Sequence, residues 1–166
     1  MLLRICFVCG GNTCRSPMAQ AVFSRLAADA GLAGRVEAAG AGCEPDLVGG
    51  PADPRALAAL ARRGHPLPDH RARRFEPADF DRYHLVIAME ADHLRHLTRL
   101  ARSPQEVARI RLLRTFDIAS VAADELDVAD PFRGEETTYE YTLDLIETCC
   151  RGLLAALHEL LAALPE

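Results

Sequence analysis

The stretch Cys9-Gly10-Gly11-Asn12-Thr13-Cys14-Arg15-Ser16-Pro17 constrains this chain more than any other. Ahead of it lies the apolar run Leu2-Leu3-Arg4-Ile5-Cys6-Phe7-Val8, which reads as a buried strand. Behind it, residues 18–30 carry Ala21, Val22, Leu26 and Ala30 at helical spacing and end at Gly31. The segment is therefore a strand, a tight polar loop and a helix N-terminus. Ser16 is placed to cap that helix, and Pro17 suits its first position. In such a turn, successive N–H groups converge on one point, and the helix start adds unpaired donors. Gly10 and Gly11 are expected to supply unusual backbone angles and room for an anion. Arg15 can grip two oxygens of that anion with its rigid fork. The same field favours a thiolate at Cys9, a nucleophile near neutral pH. An anion cradle with a thiolate at its floor points to attack on phosphorus.

The chain has 166 residues, the size of one domain spanning 1–166 with its own core. Apolar residues make up 49 %, which marks a globular rather than a disordered chain. A net charge of -5 without a long basic run disfavours a nucleic-acid partner. No apolar stretch reaches membrane-spanning length, so no membrane partner is expected. The first strand begins at once, without a signal-peptide layout, and a cytoplasmic location is expected. The cysteines, at 6, 9, 14, 43, 149 and 150, do not form a secreted disulfide framework. Cys6 and Cys9 have C-x2-C spacing, but no second pair follows. Cys6, Cys149 and Cys150 therefore read as buried apolar residues. His93 and His96 share a helix face without carboxylate or cysteine partners, so neither a metal nor another cofactor is expected.

Further strands are expected at 35–39, 85–89 and 110–113, with helices at 55–63, 92–100 and 137–164. A short helical turn is expected at 76–80. Asp53-Pro54 opens the 55–63 helix and Gly64 closes it. Between these elements lie a Gly- and Pro-rich loop at 40–52 and a long acidic loop at 117–136. Residues 65–74 form an irregular basic stretch, with Arg71, Arg73 and Arg74 as a solvated face. The last helix places Leu143, Ile146, Cys150, Leu153, Leu157, Leu160 and Leu164 on one face, in steps of three and four. Leu85-Val86-Ile87-Ala88-Met89 is apolar throughout and belongs at the centre of a parallel sheet. The alternation predicts an α/β fold, an open parallel four-stranded sheet with helices on both faces. Ligands of such sheets sit at the carboxyl ends of the strands, where the cysteine loop lies.

Cys-x5-Arg-Ser-Pro after the first strand, with the core Gly11-Asn12-Thr13-Cys14-Arg15-Ser16-Pro17-Met18-Ala19, resembles the signature of the low-molecular-weight protein tyrosine phosphatases. Residues 48–56, 70–73, 85–89 and 127–132 extend the resemblance over nearly the whole chain. It implies a phosphotyrosine protein phosphatase I-like fold and a monomer acting on phosphorylated proteins or peptides. Cleaving a phosphate monoester needs a nucleophile, charge stabilisation and an acid for the leaving oxygen. Cys9 supplies the first, and the loop amides with Arg15 supply the second. Asp130, in Asp130-Pro131-Phe132, matches the family's general acid. It would protonate a phenol of pKa about 10, then deprotonate the water that hydrolyses phosphocysteine. The resemblance also implies that Asn12 holds the loop, Ser16 hydrogen-bonds the thiolate and His70 supports Asn12. Cys14 becomes a reversible disulfide partner of Cys9. Phe132, Leu47 and Arg133 are expected at the substrate cleft.

Four positions depart from the family pattern. Ala38 stands where a serine buttresses the loop, and Leu47 where a tryptophan lines the cleft. Arg133 replaces a tyrosine, and Thr13 an isoleucine. Threonine at this loop position and an Asp-Pro-Phe acid loop also occur in the branch that acts on phosphoarginine. A protein-arginine phosphatase therefore stands as the alternative to phosphotyrosine hydrolysis. A thiol-linked arsenate reductase needs cysteines in the third quarter of the chain, but none lies between Cys43 and Cys149. A cysteine phosphocarrier needs no general acid, which weighs against it given Arg15 and Asp130.

Overall fold

The computed structural model describes residues 1–162, without the side chains of residues 160 and 162. Strands β1 (Leu3–Cys9), β2 (Val36–Gly42), β3 (Leu85–Ala88) and β4 (Ile110–Leu112) pair in parallel, in the order β2-β1-β3-β4. This is the open four-stranded parallel sheet that the alternation of elements predicts. β1 and β3 are the inner strands, and their composition follows from that place. Ile5 and Phe7 enter the core on one face, Cys6 and Val8 on the other, all fully buried. The chain leaves β1 for β2 on one side and later returns to β3 on the other. The carboxyl end of β1 is thus the topological switch point of the sheet.

Helices α1 (Arg15–Asp29) and α2 (Pro54–Arg62) share the larger core with the long C-terminal helix. Helix α3 (Ala91–Leu100) and the 3₁₀ turn Pro77–Asp81 cover the opposite face through Leu97 and Phe80. Two short helices follow, α4 (Pro104–Val107) and α5 (Ile118–Ala123). The C-terminal helix, α6 (Glu136–Ala162), buries Leu143, Ile146, Cys150, Leu153 and Leu157. That is the face set by steps of three and four. Leu164 and the side chain of Leu160 lie outside the described residues. Among the described residues, no helix is long and apolar enough to cross a membrane.

Three departures from the expected elements have local causes. α1 starts at Arg15, before the expected 18, with Cys14 at the cap position and no side-chain cap bond. Ser16 therefore lies inside the first turn and is not the cap. Pro17 is the third helical residue, not the first, and its missing N–H is one that any helix start leaves unpaired. β2 runs past residue 39 to Gly42, because its pairing with β1 continues up to Cys9. Only glycine fits at that end, since a Cβ on Gly42 would lie 2.7 Å from the Gly10 carbonyl oxygen. The expected acidic loop at 117–136 begins instead with α5, where the Asp117 carboxylate accepts from Ser120 N at 3.2 Å. Ser103 starts α4 in the same way, accepting from Glu106 N at 3.2 Å.

Candidate active site

The loop from Gly10 to Cys14 joins β1 to α1 directly, so its backbone has little freedom. Most of its carbonyls, and that of Cys9 before it, are taken by the surrounding chain. Cys9 O accepts from Cys43 N at 2.8 Å, Gly10 O from Glu44 N at 3.0 Å and Thr13 O from Asp53 N at 2.8 Å. Asn12 O receives His70 Nε2 at 2.7 Å. Among the described residues, no protein acceptor takes the N–H groups of 11–14. Carbonyls bonded outward and N–H groups left over make a nest for an anion. The unusual backbone angle is at Asn12, with φ of 57°, and not at Gly10 or Gly11. Asparagine tolerates the left-handed region better than most residues.

Asn12 is fully buried and fixed from several sides. Its Nδ2 donates to Ser16 Oγ at 2.8 Å, and its Oδ1 accepts from Arg73 N at 3.1 Å. Arg73 is therefore not part of a solvated face. Its guanidinium bonds Asp79 at 3.0 Å and Tyr83 Oη at 3.2 Å. The residue of β2 that abuts Asn12 is Gly40, where a Cβ would lie 3.0 Å from Nδ2. Ala38 sits two residues back, paired with Ile5, away from the loop.

Cys9 Sγ is buried 3.1 Å from Ser16 Oγ. The Ser16 hydroxyl already accepts from Asn12. Its own hydrogen can go to the sulfur or to Ala41 O, 3.4 Å away. Arg15 is 4 % exposed. Its Nη1 donates to Glu90 Oε2 and to Val128 O, both at 2.8 Å, and its Nη2 lies 3.6 Å from Asp130 Oδ2. Glu90 occupies the N-cap position of α3, just beyond β3. His93 Nε2 is 3.5 Å from its other oxygen. His93 thus has a carboxylate neighbour that the helix-face pattern did not reveal. Burial, and then the Arg15 charge, hold the imidazole below its ordinary pKa.

A cleft of about 140 Å³ opens above the sulfur, walled by Cys9, Thr13, Arg15, Asp46, Asp130 and Phe132. Leu47 and Arg133 are exposed and do not line it. Asp46, beside Leu47, does. Which of two adjacent loop residues faces the cleft depends on the loop backbone, and nothing in the sequence pattern marks it. Asp130 has a half-exposed carboxylate whose Oδ1 accepts from Phe132 N at 3.1 Å. Cys14 is on the cleft wall too, with Sγ 3.5 Å from Tyr139 Oη, and burial pushes its thiol pKa up. A larger cleft of about 330 Å³ lies on the far side of Gly10, beside Glu44 and His93. It contains neither Cys9 nor Asp130, so the smaller cleft is the candidate reaction site. A thiol beneath a ring of N–H donors, a buried guanidinium and a carboxyl group at the mouth can receive a tetrahedral anion, attack it and protonate what leaves.

The family described as low molecular weight phosphotyrosine protein phosphatase matches residues 4–163. The chain is 49 % identical to the low molecular weight protein-tyrosine-phosphatase of Streptomyces coelicolor, covering 96 % of each chain. Its fold is similar to the crystal structure of YfkJ from Bacillus subtilis, with a TM-score of 0.87 at 33 % identity over 96 % of each chain. It is also similar to the YwlE arginine phosphatase of Bacillus subtilis, solved with a phosphorylated active-site serine. That match has a TM-score of 0.82 at 30 % identity, covering 94 % of this chain and 96 % of the other.

Proposed function

We propose, from the premise that this chain belongs to the low molecular weight phosphotyrosine protein phosphatase family, that it hydrolyses phosphotyrosine in proteins through a phosphocysteine intermediate. The observation that carries this reading is the meeting of Cys9, Arg15 and Asp130 in one small cleft. The Cys9 thiolate attacks phosphorus, forming the S–P bond as the P–O bond to tyrosine breaks. The N–H groups of residues 11–14 and Arg15 hold the three non-bridging oxygens. The Asp130 carboxyl group gives its proton to the departing phenolate. Asp130, now a carboxylate, takes a proton from water as the water oxygen attacks phosphorus. The S–P bond breaks, and the thiolate and inorganic phosphate are released. Ser16 donates to the sulfur when it is a thiolate, and Asn12 orients Ser16.

The free, buried state of all six cysteines supports a reducing, cytoplasmic setting. The test is steady-state turnover of p-nitrophenyl phosphate and of a leaving-group series. Cys9→Ser should abolish turnover but retain vanadate binding, since the cradle is backbone and Arg15. Asp130→Asn should lose roughly 10²–10⁴-fold for phenols of high pKa and less for those of low pKa. Wild-type turnover by Cys9→Ser would overturn the reading. A carrier rather than a hydrolase would stop after one equivalent.

One observation favours phosphoarginine as a second reading. Thr13 and the Asp46 carboxylate stand on the cleft wall, where a hydroxyl and a negative charge suit a guanidinium better than a phenyl ring. The arginine phosphatase among the similar structures supports keeping it. A phosphopeptide panel comparing the two substrates decides between them.

A further inference from the structure

The segment that carries Asp130 is fixed firmly at its start. Val128 N donates to Met89 O at 2.7 Å, and Asp127 Oδ1 accepts from Ala91 N at 2.8 Å, which ties the segment to the end of β3 and the start of α3. Beyond Asp130 the loop's own hydrogen bonds are local turns, Phe132 N to Asp130 Oδ1 at 3.1 Å and Gly134 N to Pro131 O at 2.8 Å. Both Asp130 and Phe132 project from the surface. Local turns set the shape of a loop but not its distance from the sulfur. Arg15 Nη2, 3.6 Å from Asp130 Oδ2, is beyond hydrogen-bonding distance, so holding the loop in place needs a further contact from another element.

Arg55, in the first turn of α2, makes that contact. Its guanidinium carbon lies 5.4 Å from the Phe132 ring centroid and 4.8 Å from that of Tyr139. Its Nη1 donates to Gly134 O at 3.3 Å. The other nitrogens are held by Asp53, with Nε to Oδ1 at 3.1 Å and Nη2 to Oδ2 at 2.9 Å. Asp53 is itself joined to the phosphate loop, because its N–H donates to Thr13 O. The side chain is thus a flat, two-sided bracket. One edge is fixed to a residue hydrogen-bonded to the loop that holds the anion. A ring contact and a carbonyl bond reach the loop that holds the acid. The Asp53 hydrogen bonds raise the Arg55 pKa, so the bracket stays charged wherever the enzyme works.

We propose that Arg55 is a positioning residue that sets the height and direction of Asp130 over the leaving oxygen. It is not among the residues that line the cleft, and it acts through Phe132 and Gly134. A proton donor in a loop that drifts by about an ångström loses up to roughly 10²-fold in rate. Only the step that needs the proton should suffer. Binding of the phosphate group by the cradle should not.

This proposal rests on Asp130 being the general acid, and a double-mutant cycle separates the two. Arg55→Ala should lower kcat on the order of 10-fold for phenyl phosphates of high leaving-group pKa and little for a dinitrophenol. Its vanadate inhibition constant should stay at the wild-type value. In the Asp130→Asn background, Arg55→Ala should cost nothing further, because the group it positions is already gone. Arg55→Lys keeps the charge beside Asp53 without the flat stacking face. It should give a smaller loss of the same kind, and it carries the test if Arg55→Ala does not fold. Equal loss across all leaving groups, or full additivity with Asp130→Asn, overturns the proposal while leaving the acid intact. If Asp130→Asn alone shows no leaving-group dependence, the acid assignment falls and the role of Arg55 falls with it.

Discussion

Glu90 Oε2 accepts from Arg15 Nη1 at 2.8 Å, so a carboxylate at the N-cap of α3 holds the buried guanidinium that faces the candidate sulfur. The pair joins the two inner strands of the sheet at their carboxyl ends. Removing one partner leaves the other charge buried and free to turn. Glu90→Ala should lower kcat/KM about 10-fold or more, since hydrogen bonds between charged groups contribute roughly 1.5–3 kcal/mol. Glu90→Gln keeps an acceptor for Nη1 and should lose less. Vanadate inhibition constants for both variants check the argument. Unchanged constants would mean that Val128 O alone orients Arg15.

Asn12 is held in the left-handed region by His70, Arg73 and Ser16 together. Asn12→Ala keeps the strained angle and the His70 bond to the backbone carbonyl, but it leaves Ser16 Oγ and Arg73 N without their Asn12 partner, so it should destabilise the fold by about 1–3 kcal/mol. Asn12→Gly loses the same bonds but not the strain cost, and it should be the more stable of the two. Urea unfolding of both variants measures the difference. Equal stabilities would show that the φ of residue 12 stores little strain.

The elements that bury apolar residues were legible in the chain because their period is local. The apolar runs gave β1 and β3, and steps of three and four gave α6. What failed depends on distant neighbours. Ser16 has the composition of a cap, yet its hydroxyl is used by Cys9 and Asn12, and the helix starts without it. Arg73 looks like any solvated arginine until Asp79 and Tyr83 fold over it. The links His70–Asn12, Arg55–Phe132 and Cys14–Tyr139 join residues far apart in sequence. No spacing rule reports them. The candidate nucleophile and anion grip stood out for the opposite reason, since Cys9 and Arg15 share one short loop.

Cys14 shares the cleft wall with Cys9. Mild peroxide should oxidise Cys9 to a sulfenic acid, releasing water. Attack by the Cys14 thiol then forms a disulfide and releases a second water. Activity should return with a dithiol. Cys14→Ser should turn this into irreversible loss, with sulfinic acid at Cys9 in peptide maps. Recovery of Cys14→Ser by dithiol would assign the protection to another thiol.

His93 should give stability a pH dependence. Burial and Arg15 depress its folded pKa, whereas the unfolded chain takes the proton near pH 6.5. Between the two values the unfolded state holds more protons. The stability contributed by neutral His93 is therefore complete above about pH 6.5 and is lost as the pH falls. Melting temperatures from pH 7.5 to 5.5 should decline more steeply for the wild type than for His93→Asn. Parallel curves would show that His93 does not titrate differently in the two states.

Thr13 and Asp46 bear on what the cleft accepts. A phenyl ring seeks apolar walls; threonine carries a hydroxyl where isoleucine has a methylene and lacks the methyl beyond it, and that one carbon alone is a loss of about 1 kcal/mol by methylene accounting. A guanidinium seeks oxygen acceptors and negative charge, which the Thr13 hydroxyl, Asp46 and Asp130 provide along the wall of one cleft. Thr13→Ile should therefore raise the phosphotyrosine-to-phosphoarginine ratio of kcat/KM, by about fivefold if only the methylene counts. Asp46→Asn should raise the same ratio by weakening phosphoarginine, while leaving phosphotyrosine unchanged or improved, because the carboxylate repels the approaching dianion. The effect should shrink at high salt, since Asp46 is exposed. If neither variant moves the ratio, the walls at 13 and 46 do not select the substrate. Phe132, the remaining large side chain on the cleft, then becomes the residue to vary.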